Sequence, residues 1–353
     1  MINHLELFSG IGGFRVAMDL LRSDGVMDFH HVGFSEIDKN ATKTYKANFD
    51  TSGELEIGDI CAFTADDANY DKLPSIDLIS GGFPCQSFSM MGSQMGFEDD
   101  RGQLFFRIVD VAKAKKPKYL LLENVKNLAR HDGGNTLKVI LATLREEGYN
   151  VYYDFFNSND FGLPQKRNRI IIFATREKND PHFDAALIEE CYQDNRDKMS
   201  ISNNETTLGI LEKDVAPKYF LSEKIKPTIL ADGSANFKSN SEINLLVARP
   251  LTASMHKMHR ACQDNYYSQD FIDSLGEDTS YKRMNKGELA KLSIRRLTPE
   301  EAMQLQGFPK GFASNGSNAG VSDGALYKQA GNAVSVNVIY SVLYYLITNN
   351  SIF

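Results

Sequence analysis

Two hydrophobic periods alternate through the first half of the chain, and this narrows the possible architectures more than any other feature. His4 to Phe8 has the character of a buried strand and runs through Ser9-Gly10-Ile11-Gly12-Gly13 into a stretch with Val16, Ala17, Leu20 and Leu21 on one helical face. The strand signal returns at Val32 to Ser35, Ile76 to Ser80, Tyr119 to Leu122, Tyr149 to Phe155 and Ile170 to Ala174. Helical stripes lie between several of these, one made by Leu104, Phe105, Ile108, Val111 and Ala112 and another by Leu137, Leu141 and Leu144. Strands alternating with helices specify an α/β fold with a doubly wound, mostly parallel sheet.

From about Glu177 the clean periods stop. Polar clusters such as Ser200 to Thr207 and Ser234 to Ser241 replace them, as expected of a smaller, irregular domain suited to recognition. Order returns at Thr298-Pro299-Glu300-Glu301, a capping box with proline at the first helical position, which starts a short helix through Leu305. Val334, Val338, Ile339, Val342, Leu346 and Ile347 then recur at helical spacing between Asn332 and Asn349, as in a closing helix that packs back on the first domain. The expected division is one domain over 1–176 plus 325–353 and a second over 177–324.

With 353 residues and 42% hydrophobic content the chain can bury a substantial core. No run reaches the roughly 18 apolar residues of a membrane span, and the start Met1-Ile2-Asn3-His4-Leu5-Glu6 lacks a signal-peptide pattern, so cytoplasmic localisation without membrane association is expected. Cys61, Cys85, Cys191 and Cys262 are scattered without Cys-x-x-Cys spacing, which argues against a zinc site and a disulfide framework. The net charge of -7 opposes nucleic-acid binding on average. Its distribution is uneven: residues 1–60 hold ten acidic and five basic side chains, residues 162–176 four basic and none acidic, and residues 245–297 nine basic against six acidic. A basic face on an acidic body is compatible with a phosphate-rich partner.

The chemistry-bearing residues fall at strand boundaries. Cys85 lies in Gly81-Gly82-Phe83-Pro84-Cys85-Gln86-Ser87-Phe88-Ser89, just past the strand ending near Ser80, where an open α/β sheet presents ligands. An isolated cysteine is as often a small core hydrophobe as a nucleophile. Leu120-Leu121-Leu122-Glu123-Asn124-Val125 puts a carboxylate at the end of another buried strand, and Gln165-Lys166-Arg167-Asn168-Arg169 precedes Ile170-Ile171-Ile172-Phe173.

Phe8-Ser9-Gly10-Ile11-Gly12-Gly13, Phe83-Pro84-Cys85-Gln86, Glu123-Asn124-Val125, Gln165-x-Arg167-x-Arg169, Arg296-Leu297-Thr298-Pro299-Glu300 and Gly331-Asn332-Ala333-Val334 occur in this order over nearly the whole chain. Together they resemble the DNA cytosine-5 methyltransferase family, bacterial restriction-modification type. The resemblance implies a catalytic methyltransferase domain in the first division and target recognition in the second. It implies S-adenosylmethionine as cofactor, double-stranded DNA as substrate, and a chain that works as a monomer, often beside a restriction endonuclease. Cys85 would add to carbon-6 of a flipped-out cytosine and turn carbon-5 into a nucleophile; an unperturbed thiol is only a few per cent thiolate at neutral pH but intrinsically very nucleophilic. Glu123 would carry or share a proton at ring nitrogen-3, which calls for a raised pKa in a dry pocket, and Arg167 and Arg169 would hold the base carbonyl oxygen and nearby charge.

The resemblance also implies a methyl-donor pocket formed by Phe8, Gly10, Gly12, Gly13, Glu36, Asp59, Ile60, Pro84 and Asn332. Glu36 would bind ribose, and Asp59 and Ile60 the adenine. By itself the glycine loop is weak evidence for a nucleotide, since Arg15 stands where a dinucleotide fingerprint needs its third glycine. Ile37 replaces the aromatic that many relatives carry after the ribose-binding acid. Gln86, Ser89, Thr252 and Arg260 are the candidate DNA contacts, and Met90 to Gly102 reads as a mobile lid over the flipped base. Two alternatives stand beside this reading. A tRNA methyltransferase of the sister branch typically carries Cys-Phe-Thr, a tripeptide missing here; a non-catalytic DNA-binding relative would have lost one of Cys85, Glu123, Arg167 and Arg169, all present.

Overall fold

The computed structural model describes residues 1–84, 104–234 and 237–349. The chain divides into two compact units, one of residues 1–161, 168–201 and 334–353, the other of residues 162–167 and 202–333.

The first unit is built on a seven-stranded sheet. In chain order it contains β1 (Ile2–Leu7), α1 (Gly13–Ser23), β2 (Phe29–Ser35), α2 (Lys39–Asn48), β3 (Leu55–Glu56), α3 (Ile60–Thr64), β4 (Leu78–Gly82), α4 (Leu104–Lys115), β5 (Tyr119–Val125), α5 (Asn135–Glu146), β6 (Asn150–Asn157), β7 (Asn168–Thr175), α6 (Ala185–Asn195) and a final helix, Val336–Thr348. The strand order is β3-β2-β1-β4-β5-β7-β6. β3, β2, β1, β4 and β5 run parallel, each to its neighbour. The chain winds outward from β1 in one direction and then returns to start β4 on its other side, so a topological switch point lies between β1 and β4.

The middle strands β4 and β5 are buried on both faces; β5 accordingly opens with the apolar run Tyr119-Leu120-Leu121-Leu122, whereas β4 is Leu78-Ile79 followed by Ser80 and two glycines. The sheet core combines Leu5, Leu7, Ile79, Leu120, Leu122, Ile170 and Ile172 with Phe105, Ile108 and Ile140 from the covering helices. Val336–Thr348 is buried along most of its length and packs on α1 and α6.

β7 departs from an all-parallel sheet, pairing antiparallel with both β5 and β6. Only ten residues connect β6 to β7, fewer than the dozen or so a parallel crossover needs. The sequence reading also lacks β3, two residues long, and α2, a mostly polar helix that buries only Ala41, Thr44 and Tyr45.

The unit boundaries fall at Ile201 and Val334 and not at 177 and 325. The segment after β7 still belongs to the first unit because α6 packs on the final helix, while the helix Asp323–Asn332 packs with Pro299–Gln304 in the second. Asp323–Thr348 is long and apolar enough in composition to pass for a membrane span, contrary to the expectation that no such stretch exists, but 78% of its most apolar window is buried. Ala333 has extended backbone (φ -63, ψ 152) and breaks it into helices of 10 and 13 residues, each short of a span.

A polar thread crosses the buried interior of the first unit. Ser80 Oγ meets His4 Nε2 at 2.7 Å, His4 Nδ1 meets His31 Nδ1 at 2.9 Å, and His31 Nε2 lies 3.5 Å from Asp19. Burial first, and then the neighbouring His31 and Arg15, hold His4 well below the ordinary histidine range. Beside it Arg15 Nη1 donates to both Glu54 carboxylate oxygens, at 2.7 and 2.9 Å, and the Tyr45 hydroxyl donates to Glu6 at 3.3 Å. Burial pushes the Glu6 carboxyl up to about 8 despite the nearby Arg15 guanidinium.

The second unit has little regular structure. Tyr266–Ser268 pairs antiparallel with Ile294–Arg296, and a small core gathers Leu221, Ile229, Leu230, Ile243, Tyr266 and Ile294. The capping box forms as the sequence specifies: Thr298 Oγ1 accepts from Glu301 N at 3.1 Å, and the Glu301 carboxylate accepts from Thr298 N at 2.7 Å. Glu301 also accepts a two-pronged Arg295 fork at 2.7 and 2.9 Å, and both side chains are fully buried.

Candidate active site

The carboxyl edge of the parallel strands collects the first unit's candidate residues. Phe8 to Gly12 follow β1, Glu36 follows β2, Asp59 follows β3, Phe83 and Pro84 follow β4, and Glu123 ends β5. β7 runs the other way, so it brings its amino end to this same edge, where Arg169 stands opposite Val125. Glu123, two residues back from Val125, shares the same face of the sheet. The result is an ion pair, Arg169 Nε to Glu123 Oε1 at 2.7 Å, with the carboxylate only 8% exposed.

Asn124 supports the neighbouring loop. Its amide nitrogen donates to the Phe83 carbonyl at 2.8 Å, and its amide oxygen accepts from Val125 N at 2.8 Å. This buried side chain fixes the backbone immediately before Pro84. Pro84, exposed, is the last described residue there. Cys85, Gln86, Ser89 and the Met90 to Gly102 loop lie outside the described residues.

The loop after β1 has an unusual backbone. Phe8 takes φ 53, Gly10 φ 54 and Gly12 φ 87. Phe8 thereby bears left-handed strain that side-chain-bearing residues avoid unless their surroundings impose it. At Gly12 the backbone would strain any other residue, and a Cβ would also sit 2.5 Å from Phe49. Gly13 begins α1 and is buried. At Gly10, by contrast, no atom lies within 4 Å of where a Cβ would be.

Glu36 is held over this loop: Oε2 accepts from Gly10 N at 2.8 Å and Oε1 from Asp38 N at 2.7 Å. Each oxygen keeps a lone pair for a further donor. Ser9 Oγ is buried and has no hydrogen-bond partner among the described residues. Asp59 caps α3 through Cys61 N at 2.9 Å. Ile60 turns into the sheet core at 3% exposure, whereas Ile37, beside Glu36, is 72% exposed. Among the described residues no group of histidine, cysteine and carboxylate side chains has the arrangement of a metal site.

Arg167, Asn332, Thr252 and Arg260 belong to the second unit. The sequence treats Arg167 and Arg169 as one pair, but the structure gives them separate partners. Arg167, 1% exposed, donates to three backbone carbonyls, those of Leu251 at 3.1 Å, Gly331 at 3.1 Å and Ala333 at 2.7 Å. Asn332 ends the helix Asp323–Asn332 and is exposed, as is Thr252, while Arg260 is half-buried. Asn124, Gln165 and Gly331 acquire structural work that the sequence reading left unassigned. All three sit inside motifs it quoted, which was the available signal; their hydrogen-bond partners, distant in sequence, were not readable.

The family model for C-5 cytosine-specific DNA methylase matches residues 2–348. The chain is 36% identical over 342 residues to the type II methyltransferase M.NgoBI of Neisseria gonorrhoeae, covering 96% of this chain and 91% of that protein. It is 37% identical over 340 residues to the type II methyltransferase M.HaeII of Haemophilus aegyptius, covering 96% and 90%. The crystal structure of the S. pombe Dnmt2 methyltransferase shares the fold, with a TM-score of 0.74, 18% identity and 98% coverage of both chains. With the family model matched from end to end and relatives of this identity covered almost completely, the chain belongs to the C-5 cytosine-specific DNA methylases.

Proposed function

We propose that this DNA cytosine-5 methyltransferase acts on one cytosine of a short double-stranded sequence, swung out of the helix, through a covalent bond from Cys85. The observation that carries the reading is the Glu123–Arg169 pair at the end of β5, beside the loop that leads through Phe83 and Pro84 to the cysteine. Cytosine carbon-5 does not attack an electrophile unaided. Addition of the Cys85 thiolate to carbon-6 pushes the ring electrons towards nitrogen-3 and leaves carbon-5 nucleophilic. Glu123 meets that change with a hydrogen bond and proton at nitrogen-3, and Arg169 fixes the carboxyl rotamer and adds a cation beside the electron-rich ring. After carbon-5 gains the methyl group it loses its proton to a base, and the electron pair so released expels the thiolate and restores the double bond.

S-adenosylmethionine, when bound, supplies the electrophilic methyl group. The residues present fit it: the open backbone at Gly10, the anchored Glu36 carboxylate with acceptor capacity for ribose hydroxyls, the buried Ser9 hydroxyl and the exposed Ile37 side chain beside them. Phe8, Gly12, Gly13, Asp59 and Pro84 border or shape that edge, and Ile60 supports it from the core. Gln86, Ser89, Thr252 and Arg260 would contact DNA, with residues 202–333 reading the target. The resemblance to type II methyltransferases supports a role as the companion of a restriction endonuclease, and the proposal is completed by a monomer working in the bacterial cytoplasm.

Methyl-labelled S-adenosylmethionine with unmethylated plasmid tests the reaction. The wild type should label DNA, and Cys85→Ala should abolish labelling while still binding the cofactor by calorimetry. Labelling that survives in Cys85→Ala would remove the cysteine from the mechanism.

A further inference from the structure

Three segments that carry the candidate methyl-donor residues converge on one buried arginine. Arg15 lies in the first turn of α1, three residues after Gly12, and is 6% exposed. Its Nη1 donates to the Tyr45 hydroxyl at 3.2 Å as well as to the Glu54 carboxylate, and its Nη2 donates to the Asp50 carbonyl at 2.9 Å. Its guanidinium carbon lies 4.5 Å from the centre of the Phe49 ring and 5.4 Å from that of Tyr45. Those two rings press on the loop after β1: a Cβ at Gly12 would sit 2.5 Å from Phe49 Cε2 and 2.9 Å from Tyr45 Cε2. Tyr45 also stacks on Phe34 with ring centres 4.4 Å apart, and Phe34 lies on β2, two residues before Glu36. Glu54 immediately precedes β3, which leads through Gly58 to Asp59; Ser35 Oγ donates to the Gly58 carbonyl at 2.8 Å.

A desolvated guanidinium that pairs with a carboxylate, reaches a carbonyl and lies over aromatic rings is fixed by charge, hydrogen-bond geometry and stacking together. These partners are protein groups, so the arginine acts on the pocket through them. It stands where a dinucleotide fingerprint would place its third glycine, and here that position supplies a brace. We propose that Arg15 is a positioning residue for the methyl donor: through the wedge of Tyr45 and Phe49, and through Glu54, it holds Gly12, Glu36 and Asp59 in one geometry and sets donor affinity without touching the reacting atoms. The proposal rests on the methyl-donor pocket proposed above. Its rival is a buried ion pair that stabilises the first unit and does nothing for the donor, and the two differ in what they do to binding.

The test measures binding of S-adenosylmethionine and S-adenosylhomocysteine to purified full-length protein by calorimetry, alongside kcat for plasmid DNA at saturating donor and the urea midpoint. Arg15→Met removes the charge and the fork but keeps an unbranched stem. It should raise Kd about tenfold for both molecules, since the brace shapes the pocket and does not sense the methyl group, with kcat changed less than about threefold. Phe49→Leu removes the stacked ring and should give a similar rise; the double variant should bind no more than about twofold more weakly than the worse single variant, because both act through one wedge. Leu144→Ala opens a cavity at the buried face of α5 in the same unit and serves as the stability control: its urea midpoint should fall while Kd stays within about twofold of the wild type. An Arg15→Met protein with a lowered midpoint and wild-type Kd would overturn the proposal, as would a Leu144→Ala protein whose Kd rises as much, or an Arg15→Met enzyme whose kcat falls about a hundredfold at unchanged Kd. If Arg15→Met does not fold, Arg15→Lys, which keeps the charge but not the two-armed reach to Asp50 and Glu54, takes its place under the same criteria. A wild type that binds no S-adenosylmethionine would sink the pocket itself, an outcome distinct from a wild type and an Arg15→Met protein that bind it equally well.

Discussion

Glu123 ends a strand and holds an ion pair, and in the mechanism proposed above it also handles the proton at the base. Glu123→Gln keeps the shape and a hydrogen bond but loses the group that exchanges a proton, so kcat should fall by about a hundredfold or more while cofactor binding measured by calorimetry persists. Retention of near-wild-type kcat would take Glu123 out of the proton-handling role. Glu6 shows the opposite use of a buried carboxylate. Its folded-state value, raised to about 8 from 4.5, means that the folded protein keeps a proton the unfolded chain releases. Its contribution to stability is complete below pH 4.5 and is lost as pH rises to about 8. Between pH 7.5 and 9, above the range in which His4 of the unfolded chain charges, wild-type stability should fall by up to roughly 1 kcal/mol per pH unit until Glu6 ionises. Glu6→Gln should flatten that slope in urea titrations followed by circular dichroism; equal slopes would contradict it.

Among the elements, β7 decides how the site is assembled. A parallel β7 would send Arg169 to the opposite edge of the sheet, away from Glu123; the antiparallel strand brings the two to 2.7 Å. Asn124 then couples the end of β5 to the end of β4. Asn124→Ala leaves the Phe83 carbonyl without that donor, which should cost about 1–3 kcal/mol in denaturant midpoint and lower kcat more than it raises KM for DNA. Unchanged kcat with lowered stability would reduce Asn124 to a packing role. These elements differ in how legible they were. β5 announces itself because a strand buried on both faces is apolar along most of its length, β4 through the short run Ile76 to Ser80 before two glycines, and α1 because its apolar residues recur at helical spacing. The direction of β7 is not written in its own residues; it follows from the length of the connection before it, and the expectation of a mostly parallel sheet could not assign it. Likewise Arg167 and Arg169 look equivalent at a spacing of two, and only tertiary partners separate a carbonyl-bound scaffold from a carboxylate partner.

On the scale of the whole molecule, two units with their own cores meet different demands. The first is specified by periodic apolar sequence. The second, with few regular elements, depends on buried polar ties that no local pattern predicts, above all Arg295 with Glu301. Removing one partner of a fully buried pair strands the other charge, so Glu301→Gln should destabilise by about 3–5 kcal/mol. Urea unfolding should then show the second unit melting before the first, seen as separated circular-dichroism and tyrosine-fluorescence transitions; a single transition at the wild-type midpoint would contradict this. The proposed division of labour between the units also predicts what the protein does to DNA. The most direct measurement incubates purified protein with S-adenosylmethionine and unmethylated plasmid, with tRNA and labelled cofactor in a parallel tube, and sequences the plasmid after bisulfite conversion. The account predicts cytosines protected in one repeated short context and none elsewhere. Protection scattered without context, or label found only in tRNA, would contradict it.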